Sequence, residues 1–234
     1  MIQSDVIEYE LKKIIIQRSY KAPYGEIYRL IGDKPFILAG GALCGDKVND
    51  FDIYPVSGNE FKNEEIINTV GGGSDHTVLS ITKNAITIKL VTGEVVQFCS
   101  YLKPTLKDLV ESFDFSHIQV GVTFIGNDEP AHTSEVFFTD KFVLAQLSNK
   151  TEYVGSEYPL SSIIRVGKYY ARGRLTRYGA GMSVIKALTD ILRRGFKDYD
   201  DFKDQMDAVD LGYLEMRDAR DLYTAASDVG LVKG

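Results

Sequence analysis

The chain has 234 residues, 44% hydrophobic and 26% charged, a composition that builds a sizeable folded core and excludes a disordered protein. Its net charge of −6 argues against a broad DNA-binding face, and two cysteines (Cys44, Cys99) without C-x-x-C spacing argue against a disulfide framework or a zinc site. No apolar run nears the roughly 20 residues of a membrane span. The opening "MIQSDVIEYELKK" carries acids where a secretion signal has a basic end and an apolar centre, which predicts a cytoplasmic protein.

Val6, Ile7, Leu11, Ile14 and Ile15 recur at helical spacing, so residues 5–20 read as an amphipathic first helix, broken by Pro23 and Gly25. A β-rich stretch follows. Phe36–Ala39 reads as a strand and Asp50–Val56 as its hairpin partner. "SGNEFKNEEIINTV" reads as a helix that stops at Gly71–Gly73. "HTVLSIT", "AITIKL" and "EVVQFCSY" are three short strands separated by Asn- and Gly-containing turns. Thr105 and Asp108 form a capping box for a helix over 106–112, and "IQVGVTF" and "EVFFT" supply further strands. From Asp140 the pattern is helical: 140–148, 161–173, 183–196, 200–209 and 213–227. The expectation is an α/β (α+β) domain over 1–157, a short mixed sheet flanked by helices, then a helical C-terminal region over 158–234 packed on it. "EYVGSEYP" is the joint.

The informative stretch is "GGALCGDKVNDFDIY", Gly40 to Tyr54. Alternate strand residues face one side, so Asp50 and Asp52 project together while Phe51 and Ile53 face the core. Two such carboxylates, about 7 Å apart along a strand, repel unless a cation lies between them. Magnesium takes oxygen ligands and keeps part of its shell for phosphate, so the pair suits a triphosphate-bound ion. Gly40 and Gly41 remove the side chains that keep backbone N–H groups from phosphate. Taken singly, a Gly-Gly pair is an ordinary turn and Asp-x-Asp an ordinary solvated strand edge; their order and apolar flanks favour the site.

This stretch resembles the signature of the DNA polymerase β-type nucleotidyltransferase superfamily: a glycine turn, a spacer of about ten residues, then Asp-hydrophobic-Asp. The region from "LSITKNAITIKL" to "FDFSHIQVGVTF" is similar to small nucleotidyltransferase-like proteins of phages and large viruses, and "DFS" resembles an element of tRNA CCA-adding enzymes and bacterial poly(A) polymerases. "RVGKYYARG" resembles the Lys-Tyr helix of the phage proteins. The resemblance covers roughly residues 34–174. It implies a polymerase β-like fold in which Gly40 and Gly41 line the triphosphate while Asp50 and Asp52 hold two Mg²⁺ (or Mn²⁺) ions for transfer of a nucleoside monophosphate from an NTP. The implied acceptor is an RNA 3′ end first and a protein hydroxyl second. The family's third carboxylate aligns with Gln97, a neutral residue. Asp114 in "SFDF" is the substitute, with Glu94 a weaker one. The alternative is an inactive nucleotide-binding or phage interaction protein that kept the fold.

Other residues carry two readings each. Asp114 is either catalytic or a buried acceptor or cap. Arg165, Lys168 and Arg172 share one helix face within residues 161–178, which carry five basic residues and no acid. They form either a cationic wall for the β- and γ-phosphates or a solvated face. Tyr169 and Tyr170 are candidates for base stacking, with at least one in the core. His117 reads as a satisfied core residue, His76 and His132 as surface residues. Residues 198–221, with nine acids against three bases, read as a solvated helical face.

Overall fold

Four consecutive apolar residues, Phe36–Ala39, fill a strand buried on both faces (β1), which places it inside a sheet rather than at an edge. The computed structural model describes residues 3–45, 48–72, 75–82, 84–126, 132–207, 227 and 230–232. Its elements are α1 (Gln3–Ser19), α2 (Tyr24–Ile31), β1, β2 (Phe51–Pro55), α3 (Asn63–Gly71), β3 (Thr77–Ile81), β4 (Ala85–Lys89), β5 (Val95–Cys99), α4 (Leu106–Glu111), β6 (Val120–Ile125), β7 (His132–Phe138), α5 (Asp140–Ser148), α6 (Pro159–Ala171), α7 (Arg177–Arg194) and α8 (Tyr199–Asp207). The helix expected at 213–227 lies, Ser227 apart, outside the described residues. The chain divides into two compact units. Met1–Glu111 with Ile118–Phe142 form one, Ser112–His117 with Val143–Gly234 the other.

The first unit holds a seven-stranded sheet in the order β3-β4-β5-β2-β1-β6-β7. Every neighbouring pair is antiparallel except β2–β5, which is parallel. One face is apolar: Phe36, Leu38, Ile53, Ile86, Ile88, Val96, Phe98, Val122 and Phe124 are all buried. Helix α2 lies against it through Tyr24 and Tyr28, whose rings stand 4.8 Å from Phe124 and 5.3 Å from Phe36. On the opposite face, at the β6 end, α4 packs so closely on Gly121 that a Cβ there would come within 2.7 Å of Leu106 Cδ1. The predicted capping box opens α4, with Thr105 Oγ1 accepting from the Asp108 N–H at 3.1 Å and donating to its carboxylate at 2.6 Å. This is the expected α/β architecture, a mixed sheet flanked by helices with a helical part after it.

Two local expectations are corrected. Residues 24–31 form a helix, not part of the β-rich stretch: Pro23 stands just ahead of it and its carbonyl accepts from the Glu26 and Ile27 N–H groups. A proline breaks a helix interior but suits a helix start. The first helix is present, but of the five apolar residues read as its face only Ile15 is fully buried, while Val6, Ile7 and Ile14 are exposed. Those five side chains spread over about 180° of the helix, too wide an arc for one contact face.

In the second unit, Phe115 and Tyr153 form an isolated antiparallel bridge, beside which Phe115, His117, Tyr153 and Tyr169 make an aromatic cluster with ring separations of 4.3–6.5 Å. Helix α7 opens on Thr176, whose side chain accepts from the Gly179 N–H at 3.0 Å. Ile191, Phe196 and Phe202 are buried together, with Leu160 and Ile163 packed against them.

Candidate nucleotide and metal site

Strand β1 ends where the backbone turns left-handed. Gly40 has φ +76° and opens a single 3₁₀ turn, Gly40–Leu43. A Cβ at Gly40 would lie 3.7 Å from Asp52 Oδ2, so the bare backbone of the turn lies next to the carboxylate. Gly41 is exposed, has no left-handed φ, and a Cβ there would meet nothing within 4 Å. The two glycines therefore differ. Gly40 is required by its conformation, while Gly41 keeps the space in front of the turn open. Arg18 steadies the turn by donating to the Leu43 carbonyl at 2.9 Å.

Asp52 lies at the second position of β2, half-buried, and Asp50 just ahead of the strand, also half-buried. Asp52 pairs with Ala39 on one side and Gln97 on the other. The row continues through Thr87 to Ser80 and, beyond Ala39, through Gly121 to Phe137. Register partners share a face, so Asp52 and Gln97 project to the same side, with small Ala39 and Gly121 beside them. Gln97 Nε2 donates to Thr87 Oγ1 at 3.1 Å. Thr87 had a signal in the sequence, as the one polar residue in the otherwise apolar "AITI". Glu94 precedes β5, and its Oε2 is buried without a hydrogen-bond partner among the described residues.

Among the described residues, no group of three or more His, Cys, Asp or Glu side chains is arranged to hold a metal ion. The sheet offers the Asp52 carboxylate and the amide oxygen of Gln97, and Asp50 just ahead of β2 adds a second carboxylate. That donor set fits a hard divalent cation whose remaining ligands are phosphate oxygens and water.

Asp114 belongs to the second unit and is 3% exposed. Ser162 Oγ donates to its Oδ2 at 2.7 Å and Arg165 Nη1 to its Oδ1 at 3.1 Å. The residue expected to catalyse and the first residue of the expected cationic wall are thus bound to each other. Lys168 is half-buried on the same helix, and Arg172 is exposed just past its end. Tyr169 is buried and Tyr170 exposed. His117 is a core residue, its Nδ1 2.8 Å from Thr151 Oγ1. His76, expected at the surface, is instead buried, with Nδ1 accepting from the Val91 N–H at 3.1 Å and Nε2 3.1 Å from Glu26 Oε2. It starts an apolar strand, where a side chain with two polar atoms is held by the adjoining turn. The side chain of His132 lies outside the described residues.

A family model, Gad2, the Gabija anti-defense 2 family, matches residues 10–150, more than half of the chain. The chain belongs to the Gabija anti-defense 2 family. The Gad2 match takes in the whole sheet, with Gly40, Gly41, Asp50, Asp52, Gln97 and Asp114, and ends before Arg165, Lys168 and Arg172. No curated protein matches the chain. Solved structures with a similar course of the backbone include the Thermotoga maritima CCA-adding enzyme complexed with tRNA (14% identity, 94% of this chain and 54% of that one, TM-score 0.49). A CCA-adding enzyme in complex with CTP gives the same values. An apo tRNA-processing enzyme is 14% identical over 89% of this chain and 57% of its own, with a TM-score of 0.45. The chain spans about half the length of these enzymes.

Among the described residues, no helix is long and apolar enough to cross a membrane.

Proposed function

We propose that this member of the Gabija anti-defense 2 family is a Mg²⁺-dependent nucleotidyltransferase that moves a nucleoside monophosphate from an NTP to a hydroxyl acceptor, releasing pyrophosphate, and that this modification serves the anti-defence role in the family's name. The observation that carries the reading is the left-handed Gly40 turn set beside the Asp52 carboxylate. Backbone donors for phosphate and a carboxylate for its counter-ion are thereby adjacent, as binding of a metal–triphosphate requires.

In this reading Asp50 and Asp52 hold the cation, and the backbone of Gly40 and Gly41 faces the phosphates. A cation held there would supply charge neutralisation of the triphosphate for in-line attack on the α-phosphate. The acceptor oxygen forms a bond to the α-phosphorus while the bond to the bridging oxygen breaks, and pyrophosphate leaves with the electron pair. Gln97 takes no proton, so the acceptor's proton goes to Asp50 or Asp52, the carboxylates of the site. Within the helical unit Arg165 is engaged by Asp114, so no phosphate contact is assigned to it. An RNA 3′ end is the first acceptor to test and a protein hydroxyl the second.

One observation favours a second reading. Gln97 beside Asp52 leaves the pair without a third carboxylate, which suits a nucleotide-binding protein that transfers nothing.

The deciding experiment incubates the protein with each α-labelled NTP, Mg²⁺ or Mn²⁺, and total RNA and protein. Label in a discrete RNA or protein, lost in Asp50→Ala and in Asp52→Ala, supports the enzyme. Saturable Mg-NTP binding without labelling supports the binding protein. Undiminished Mg-NTP binding by both variants in calorimetry would remove the site assignment altogether.

A further inference from the structure

Of the 27 lysines and arginines in the chain, one lies within a strand of the sheet. Lys89 is the last residue of β4, and among the described residues no other strand carries a lysine or an arginine. It is exposed, and it pairs with Thr77 on one side and Val95 on the other. Lys89 therefore does not guard an edge, the usual work of a lysine in a sheet. Alternation sends Ile86 and Ile88 to the buried apolar face, and Thr87 and Lys89 to the opposite one. Thr87 stands in the row that leads through Gln97 to Asp52, so Lys89 shares the face of the nucleotide site.

It also shares the end of the sheet. Strand β1 runs antiparallel to β2 and ends at Ala39, the register partner of Asp52, just before the Gly40 turn. Strand β5 runs parallel to β2 and β4 antiparallel to β5, so β4 finishes where β2 and β5 begin. Across that end the order is Lys89, Val95, the Asp50 start of β2, then the glycine turn. The backbones of β4 and β2 stand two strand spacings apart, about 10 Å. An extended lysine side chain and one phosphate group bridge that gap. In-line displacement then distinguishes the two sides. With pyrophosphate leaving toward the glycine turn on the β1 side, the attacking hydroxyl enters from the side of β5 and β4. The side chains of that side are an amide, a hydroxyl and an ammonium (Gln97, Thr87 and Lys89), which suit an acceptor with a negative charge next to its hydroxyl.

We propose that Lys89 binds a phosphate of the acceptor, and that the acceptor is therefore a single-stranded RNA end, with a phosphodiester adjoining its terminal hydroxyls, rather than a protein side chain. The proposal rests on the nucleotidyltransferase reading of the same site.

The test uses the full chain with Mg²⁺ and two probes: Mg-ATP by calorimetry, and a fluorescein-labelled RNA hexanucleotide by anisotropy over a series of salt concentrations. Lys89→Met keeps the apolar stem and removes the charge. It should weaken hexanucleotide binding about fivefold or more and flatten the slope of log K against log salt by about 0.7, the share of one phosphate contact on a single strand. Lys89→Arg should keep both the affinity and the slope. Mg-ATP affinity should be the same in all three proteins. Circular dichroism should be unchanged, since the side chain is exposed; should Lys89→Met unfold, Lys89→Gln reads the same two quantities. Mg-ATP binding that is absent, or that survives Asp52→Ala, removes the nucleotide site and this proposal with it. Where Mg-ATP binding depends on Asp52, three results overturn this proposal alone. They are failure of the hexanucleotide to bind, equal affinity and salt slope in Lys89→Met (as a protein acceptor predicts), and a loss in Lys89→Met confined to Mg-ATP.

Discussion

Asp52 and Gln97 are register partners on the parallel strands β2 and β5, so a carboxylate and an amide stand side by side at the centre of the sheet. The amide nitrogen is anchored to Thr87 at 3.1 Å, and the carbonyl oxygen accepts from the Cys99 thiol at 3.9 Å, a contact weak enough for a cation to displace. Gln97→Glu adds a negative charge beside Asp52, and attraction to an opposite charge grows with each added carboxylate. Titration of Mn²⁺ in the absence of nucleotide should therefore show tighter binding in Gln97→Glu, by about tenfold, with transfer raised if the wild type is slow. Equal Mn²⁺ affinity in the two proteins would mean that position 97 does not face the metal. Thr87→Val should cost about 1 kcal/mol of stability by orphaning the amide, read from denaturant unfolding.

The two glycines of the turn should fail in different ways. Gly40→Ala forces a side chain into left-handed backbone, at a cost of about 1–2 kcal/mol, and places a methyl group against Asp52. It should lower the midpoint of thermal unfolding. Gly41→Val has no left-handed φ to strain and open space around it, so it should fold normally and lose nucleotide binding, because the branched side chain fills the approach to the backbone. A folded Gly41→Val that binds NTP at wild-type affinity would rule out the phosphate-cradle reading.

The Asp114 carboxylate, buried with Ser162 and Arg165 as partners, should behave as a tie within the helical unit. Ser162→Ala removes one donor to a buried charge and should cost about 1–3 kcal/mol. Asp114→Asn keeps the shape but weakens the contact with Arg165, and should lower stability by a similar amount. If transfer activity is found, comparison of kcat with thermal stability across these two variants separates the roles. A loss of kcat in Asp114→Asn with unfolding like the wild type would restore Asp114 to catalysis.

Tyr28 offers a stability test of the sheet's apolar face. Its side chain is 7% exposed and its hydroxyl is buried with no hydrogen-bond partner among the described residues. Removing an unsatisfied buried hydroxyl while keeping the ring should be neutral or stabilising by up to about 1 kcal/mol. Tyr28→Phe is thus expected to unfold at the same temperature as the wild type or above it. Burial, with the Asp33 carboxylate adding to it, pushes the Tyr28 phenol up to about 12 from its ordinary 10.0. A raised phenol favours folding below pH 10 and loses that contribution as pH climbs toward 12. The advantage of Tyr28→Phe should accordingly grow between those values, and an advantage that shrinks there would contradict the burial of the hydroxyl.

The strands were legible in the sequence because their periodicity is local: "FILA", "FDIYP" and "VVQFC" each show an apolar run or an alternation that a strand alone satisfies. The glycine–aspartate stretch was legible for the same reason, since a β-turn-β unit keeps Gly40 and Asp52 within one hairpin. Helix α5 matched its reading residue for residue. Helix α2 was not read, because Pro23 and Gly25 signal a break whether they stand at the end of one helix or at the start of the next.

Contacts between distant residues were decided only by tertiary structure. Nothing local in "EVVQFCS" says that β5 runs parallel to β2 and sets Gln97 against Asp52; that follows from the crossover through α3, β3 and β4. Nothing in "SFDF" or "SSIIRVGK" says that Asp114 and Arg165, 51 residues apart, take each other as partners. The positive φ of Gly40 and the burial of His76 are of the same kind. Local sequence determines which way a side chain faces along its own element, whereas a charge or an amide finds its partner through packing between elements, where register and topology place the two atoms within hydrogen-bond reach.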